Sequence, residues 1–294
     1  MVRAFHAGGV IQPAIQQVFE QVDQVAVERG LPPLGPWLLG PQPPNGRDLA
    51  HAAAGTSQLA LFGASLAVHE ALCHRYGMPS AAVAVSFGEI AALTAAGVFT
   101  VGDGARAAHD LALVLSSCPG GLTLLTCSEQ AARGLLEHAG ARDAVVAVVN
   151  DDRSVVVAGP PAALAHVEKA AADRGLAAVR LRLPFASHHP ALGFAAEAFA
   201  DAVRDYPRSA ARFPVYSAVA GRPYDATDDL PRRLADCLIR PAMVPAVLRQ
   251  AARHEPGVLF EAGTGESLAL SARRVLADSP PAIHAPLAEP DFPW

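Results

Sequence analysis

Apolar residues recur at helical spacing over 12–29 and again over 56–76, where Leu59, Phe62, Leu66 and Cys73 precede a stop at Gly77. Between these stretches Pro and Gly crowd residues 31–46, which reads as a surface loop. The pattern then shortens. Ala81 to Val85 is a run of small and branched side chains suited to a buried strand. Ser86 follows at once, and Gly88-Glu89-Ile90-Ala91-Ala92-Leu93 opens a helix that stops near Gly97. Residues 121–184 have a different texture: a strand over 121–127, a helix over 128–139, strands over 144–149 and 153–159, a helix over 160–175 and a strand over 177–183. With strands pairing antiparallel, this βαββαβ order predicts a ferredoxin-like unit. A helix over 191–205, a strand at 215–217, helices over 229–238 and 243–253, a strand at 258–261 and a helix over 266–277 come next. The Pro-rich end, 279–294, is expected to be irregular. The flanking stretches read as one α/β domain, 1–118 and 190–294, with 119–189 as an inserted small subdomain.

Composition narrows the function classes. Half of the 294 residues are apolar (51%) and 17% are charged, so a buried core is expected and wholesale disorder is not. The net charge of −5 argues against nucleic acid as a partner, since phosphate binding needs a basic surface. No apolar run is long enough for a membrane span, and the start of the chain lacks the basic-then-apolar order of a signal peptide. Cys73, Cys118, Cys127 and Cys237 show no metal-ligand spacing, so reduced thiols and a cytoplasmic location are expected. Lysine occurs once, at Lys169, and arginine supplies the other basic residues. GC-rich codon usage explains this blandly; arginines that recognise phosphate or carboxylate on a partner are the functional alternative.

The candidate chemistry centres on Ala84-Val85-Ser86-Phe87-Gly88, a variant of the G-x-S-x-G nucleophile elbow. A serine on a tight strand-to-helix turn needs small neighbours, and the helix that begins there aims free N–H groups at a reacting carbonyl. The string alone is equally that of a serine capping an ordinary helix. The preceding strand and the following helix favour the nucleophile.

Val85 to Leu93 followed by Ala96-Gly97-Val98 resembles the G-H-S-x-G-E-x-A-A-L…A-G-V block of malonyl-CoA:acyl-carrier-protein transacylases and polyketide synthase acyltransferase domains. Gln58-Leu59-Ala60-Leu61-Phe62 is similar to that family's Q-P-A-L-F, and Val149 to Gly159 resembles its V-N-x-P-x-S-V-V-V-S-G. Val215-Tyr216-Ser217 and Phe260-Glu261-Ala262-Gly263 resemble V-Y-S and F-x-E-x-G-P. The resemblance covers nearly the whole chain, in order. It implies an α/β-hydrolase-like large domain with an inserted ferredoxin-like subdomain, and a discrete enzyme that moves an acyl group between thioesters through an acyl-Ser86 intermediate. No cofactor is implied beyond the donor, an acyl-CoA or a phosphopantetheinyl acyl carrier protein. Acyl carrier proteins are the implied partners, and a monomer is expected.

By the same resemblance, Phe185-Ala186-Ser187-His188-His189-Pro190 carries the general base at His188. Serine needs an adjacent imidazole to take its proton on attack and return it to the leaving thiol. Without the resemblance, a surface turn or adventitious metal binding would be the simpler reading of the two histidines. In the family a backbone carbonyl orients the imidazole, and the stretch Ile239-Arg240-Pro241-Ala242 places that carbonyl near Cys237. The oxyanion donors are expected to be the N–H groups of Phe87 and of Gly8, which stands where the family's F-P-G-Q-G has glutamine.

Two departures bear on the substrate. The family's His before the serine is Val85 here, and its Arg, 25 residues after the serine on the next helix, falls on Leu111. That Arg pairs with the free carboxylate of malonyl-type substrates. Arg106 lies on another helix face and does not replace it. Burying an unpaired carboxylate costs several kcal/mol, so malonyl and methylmalonyl are expected to be disfavoured by about a hundredfold to a thousandfold. The acyl group is therefore expected to lack a terminal carboxylate, as a starter, aminoacyl or longer chain would. Gln58, Asn150, Phe185 and Ser187 are implied to line the pocket with Val85 and Leu111. Because carriers are acidic, Arg182, Arg232, Arg233, Arg240 and Arg273 are the docking candidates. Three other readings remain: an editing thioesterase with the same Ser86 and His188, a degenerate carrier-docking protein without activity, and, less favoured, a generic esterase for which only His284 lies late enough in the chain.

Overall fold

The two amphipathic stretches at the start are helices α1 (Ile11–Glu28) and α2 (Thr56–Tyr76) in the computed structural model, which describes residues 11–294. Glycines with positive φ bound α2 at both ends, Gly55 (92°) and Gly77 (85°), because only a residue without Cβ enters that region freely. Phe19 of α1 and Phe62 of α2 are buried in the main core, and a Cβ on Gly63 would sit 2.9 Å from the Phe19 ring. The intervening Pro/Gly segment contains two short helices, Gly35–Leu38 and Gly46–His51, rather than loop alone.

Strand β1 (Ala82–Ala84) runs straight into helix α3 (Gly88–Ala95), which ends at Gly97 (φ 83°). Helix α4 (Val101–Ser116) follows, capped by Thr100, whose hydroxyl accepts the Asp103 N–H. The next six elements are β2 (Gly121–Leu125), α5 (Glu129–His138), β3 (Val145–Asp151), β4 (Ser154–Gly159), α6 (Pro161–Ala172) and β5 (Ala178–Arg180). Their sheet has the order β5-β2-β4-β3 with every neighbour antiparallel, which is the ferredoxin-like arrangement. Leu125, Leu135, Val155, Val157, Leu164 and Val167 fill a core of its own.

The chain then returns through a 3-10 turn (Pro190–Leu192) to α7 (Gly193–Ala202) and β6 (Val215–Ser217). Strand β6 pairs parallel with β1, Ala84 opposite Ser217, and β7 (Arg222–Pro223) closes the far edge. Helix α8 (Leu230–Ile239), β8 (Ala242–Met243), α9 (Val244–Ala252), β9 (Val258–Phe260), α10 (Ser267–Val275) and β10 (Ala282–His284) complete the fold. This is the expected mixed α/β architecture.

Two further features differ from expectation. The Pro-rich end contains β10, which pairs parallel with β9. Strand β8 adds a fifth, parallel strand to the ferredoxin-like sheet, Val148 opposite Ala242 and Val149 opposite Met243. Strands of two or three residues carry no readable alternation; their partner edge decides them. No described helix is long and apolar enough to cross a membrane.

Candidate active site

Ser86 occupies the corner between β1 and α3 with φ 54°, a left-handed conformation that is sparse for residues with a side chain. Ladder pairing to β6 holds one side of the corner. On the other side Gly88 N–H donates to Val85 O (3.0 Å) and Glu89 N–H to Ser86 O (2.8 Å). Among the described residues no group accepts the Phe87 N–H, which lies at the N-terminal end of α3 beside the serine.

His188 also has positive φ (55°) and is 2% exposed. Its Nε2 lies 2.8 Å from Ser86 Oγ, and its Nδ1 lies 2.8 Å from the carbonyl oxygen of Arg240. A carbonyl only accepts, so Nδ1 carries the proton and Nε2 presents its lone pair to the serine hydroxyl. Burial pushes the imidazole pKa below its ordinary value, and the Arg240 carbonyl opposes this by favouring the charged ring. His189 is bound elsewhere: Nδ1 accepts the Ala191 N–H (3.2 Å) and Nε2 faces Asp143 O (3.1 Å).

The orienting carbonyl is that of Arg240, not of Cys237 as expected from the sequence. Cys237 lies inside the last turn of α8, where carbonyls point along the axis. The chain leaves the helix at Arg240 (φ −114°, ψ 147°), and that turns the Arg240 carbonyl toward the ring. Cys237 contributes its thiol instead, 3.8 Å from Ser86 O.

A serine at a strained corner, hydrogen-bonded to an oriented imidazole, is the arrangement of a nucleophile with its base. The acyl transferase domain family matches residues 49–271, a span that holds both side chains. The chain belongs to the acyl transferase domain family. Erythronolide synthase EryA2 of Saccharopolyspora erythraea is 33% identical over 174 residues, 58% of this chain but 5% of that synthase, so the chain spans only a small part of such relatives. The malonyl-CoA:acyl carrier protein transacylase FabD of Xanthomonas oryzae pv. oryzae is 25% identical with a TM-score of 0.82, covering 95% of this chain and 88% of its own. A malonyl-transacylase in complex with its type II polyketide acyl-carrier protein (PlMCAT:AntF) shares the fold at 20% identity and TM-score 0.80, covering 92% of this chain and 88% of its own.

In this acyl transferase domain Leu111 is buried (4% exposed) on α4, within the main core cluster against which Phe87 and Phe185 also pack. Val85 faces the other way, packed with Val83, Val148 and Val219 around Ala218 and Val244. Gln58 is half-buried in the first turn of α2. Asn150 donates to Ser154 Oγ (3.1 Å) across the β3–β4 hairpin, and Ser187 is buried beside the base. Arg106 is held by Glu28 of α1 (Nη2–Oε2 2.8 Å) and by Asp103. Gly8 lies outside the described residues. Of the docking candidates, Arg232 pairs with Glu197, Arg233 with Asp228 and Asp236, Arg240 with Asp236, and Arg273 with Glu289, while Arg182 is simply exposed. Two participants were not legible as such. Arg240 acts through its main chain and leaves no side-chain signal, and Glu89, fully buried behind the corner, stood in the helix pattern without a role.

Proposed function

We propose that the chain transfers an acyl group lacking a terminal carboxylate between thioesters, through an acyl-Ser86 intermediate, onto or between acyl carrier proteins of a polyketide or macrolactam pathway. The observation that carries this reading is the relay Ser86 Oγ, His188 Nε2, His188 Nδ1, Arg240 O, with 2.8 Å at each hydrogen bond. As Ser86 attacks the thioester carbonyl, its proton passes to Nε2, and the new C–O bond forms as the carbonyl π bond opens. Collapse of the tetrahedral adduct breaks the C–S bond, and the imidazolium returns the proton to the departing thiol. A carrier thiol then repeats the sequence in reverse and takes the acyl group. The uncommitted Phe87 N–H is one oxyanion donor, and Gly8 is the expected second.

The apolar character of Leu111 supports the substrate class. Neither it nor the tethered Arg106 offers a carboxylate a partner. A carrier as partner is supported by the relative seen bound to its acyl-carrier protein. The test is intact mass after incubation with a panel of acyl thioesters, with and without a second carrier. An adduct on Ser86 from non-carboxylated donors, absent in Ser86→Ala, is expected. His188→Ala should slow its formation by about a hundredfold or more. No adduct on folded wild-type protein, or release of free acid in place of transfer, overturns the reading.

A further inference from the structure

The relay uses three groups, yet an ionisable side chain outside it lies behind the same corner. Glu89, in the first turn of α3 three residues after the nucleophile, has no solvent exposure. Its Oε1 accepts the Ser217 hydroxyl of β6 (2.8 Å), and its Oε2 accepts the Tyr224 hydroxyl. On the other side of the corner the Cys237 thiol of α8 reaches Ser86 O (3.8 Å), the same oxygen that accepts the Glu89 N–H (2.8 Å). One turn on, the end of α8 supplies both contacts of the base segment: Leu238 O accepts the His189 N–H (2.8 Å), and Arg240 O faces His188 Nδ1. Nucleophile and base come from segments 102 residues apart, and each has positive φ. Both conformations need outside constraint.

We propose that Glu89 and Cys237 are positioning residues that together fix the nucleophile corner and the end of α8 against each other and so hold the Arg240 carbonyl on His188. Neither side chain touches a reacting atom. Glu89 collects donors from β6 and the β7 exit and so anchors the first turn of α3, and the Cys237 thiol ties α8 to the same corner at the Ser86 carbonyl. Burial raises the Glu89 carboxyl to about 7 even against the hydrogen bonds that lower it, so a group this costly to keep inside depends on Ser217 and Tyr224. No charged side chain contributes to the shift of His188, whose two influences are burial and the Arg240 carbonyl. Where burial is unchanged, a change in its titration therefore reports on that carbonyl.

This inference rests on the acyl-transfer reading of the same pair, but its test has a readout that does not. The His188 ring is titrated by NMR in wild type, Glu89→Gln, Cys237→Ala and Cys237→Ser, alongside the rate of Ser86 acylation and thermal unfolding. If the tie positions the carbonyl, His188 in Cys237→Ala and Glu89→Gln titrates at lower pH than in wild type. The acylation rate should fall about tenfold or more with KM little changed, since small misplacements of reacting groups cost rate. Cys237→Ser, which restores a donor, recovers most of both. An unchanged His188 titration in folded Cys237→Ala and Glu89→Gln overturns the proposal, as does equal loss in Cys237→Ala and Cys237→Ser. Failure of wild type to acylate would remove the transferase reading while the titration still decides this one.

Discussion

In its proposed role as base, His188 must be neutral to accept the serine proton, and its environment favours that state. Folding removes the ring from water, which disfavours the imidazolium and sets its pKa below the ordinary value of 6.5. The sign for catalysis follows: the base form persists as pH falls through 6.5, and is lost only at the lower folded pKa. The acid limb of kcat/KM for acylation should therefore lie below the ordinary imidazole range; a limb at or above it would contradict the burial seen here. For stability the same shift acts in reverse. Between the folded pKa and 6.5 the buried ring binds fewer protons than the unfolded one, so acidification through that window promotes unfolding. Leu111 makes a second prediction. Leu111→Arg buries a guanidinium in an apolar cluster and should cost about 3 kcal/mol, lowering Tm by several degrees. A malonyl donor supplies the missing carboxylate, so the variant should gain about tenfold or more in malonyl over acetyl acylation, read by intact mass. Loss of stability without any change in that ratio would place Leu111 in the core alone.

At the scale of elements, the base is held by pieces that sequence patterns render unequally. Helices such as Thr56–Tyr76, with glycines at both boundaries, and the corner from Ala82 through Ser86 to Ala95 are local consequences of spacing and were legible. So was the βαββαβ order, because each strand and helix there is long enough to show its period. The Arg240 carbonyl was not, since any residue has one, and its aim depends on where α8 stops. Strand β8 was not, because two residues pair only as the edge of β3 dictates. Nor was the clasp beneath that edge. Asp151, 1% exposed at the end of β3, accepts from Ser271 Oγ (3.0 Å) and pairs with Arg274 of α10 (3.1 Å), while its other oxygen accepts the Arg153 N–H. Asp151→Ala should destabilise the protein by about 2 kcal/mol, nearer the low end for a buried pair because Arg274 is left 45% exposed rather than stranded. That is about 4–8 °C in Tm. Asp151→Asn keeps one acceptor oxygen, for the Arg153 N–H, and its NH2 can donate to Ser271 Oγ, so it should lose roughly half as much. Equal loss in the two variants would show that charge, not hydrogen bonding, holds α10 against β3.

The whole molecule carries net charge −5, so attraction to an acidic carrier requires a local concentration of arginine against an unfavourable total. Most candidate arginines are already neutralised by neighbours: Arg232 by Glu197, Arg233 by Asp228, Arg240 by Asp236 and Arg273 by Glu289. Reversing one of these also frees or repels its acid, so the local field changes twice and stability changes with it. Arg182 differs. It is exposed just after β5, in the segment leading to His188, and among the described residues it takes part in no ion pair. If a carrier approaches by electrostatic attraction, Arg182→Glu should raise the KM for the carrier by about threefold to tenfold at low ionic strength. The effect should shrink toward unity as salt brings the screening length to about 8 Å. Turnover with a small thioester such as an acyl-pantetheine should be unaffected, because that donor has no protein surface to steer. Arg232→Glu, set against Glu197, serves as the paired comparison and should lower Tm as well as raise KM. Initial rates with carrier and with small thioester, each at low and physiological salt, separate the cases. A carrier KM that ignores both Arg182 and salt would mean that recognition is carried by shape and the prosthetic arm, with charge playing no steering part.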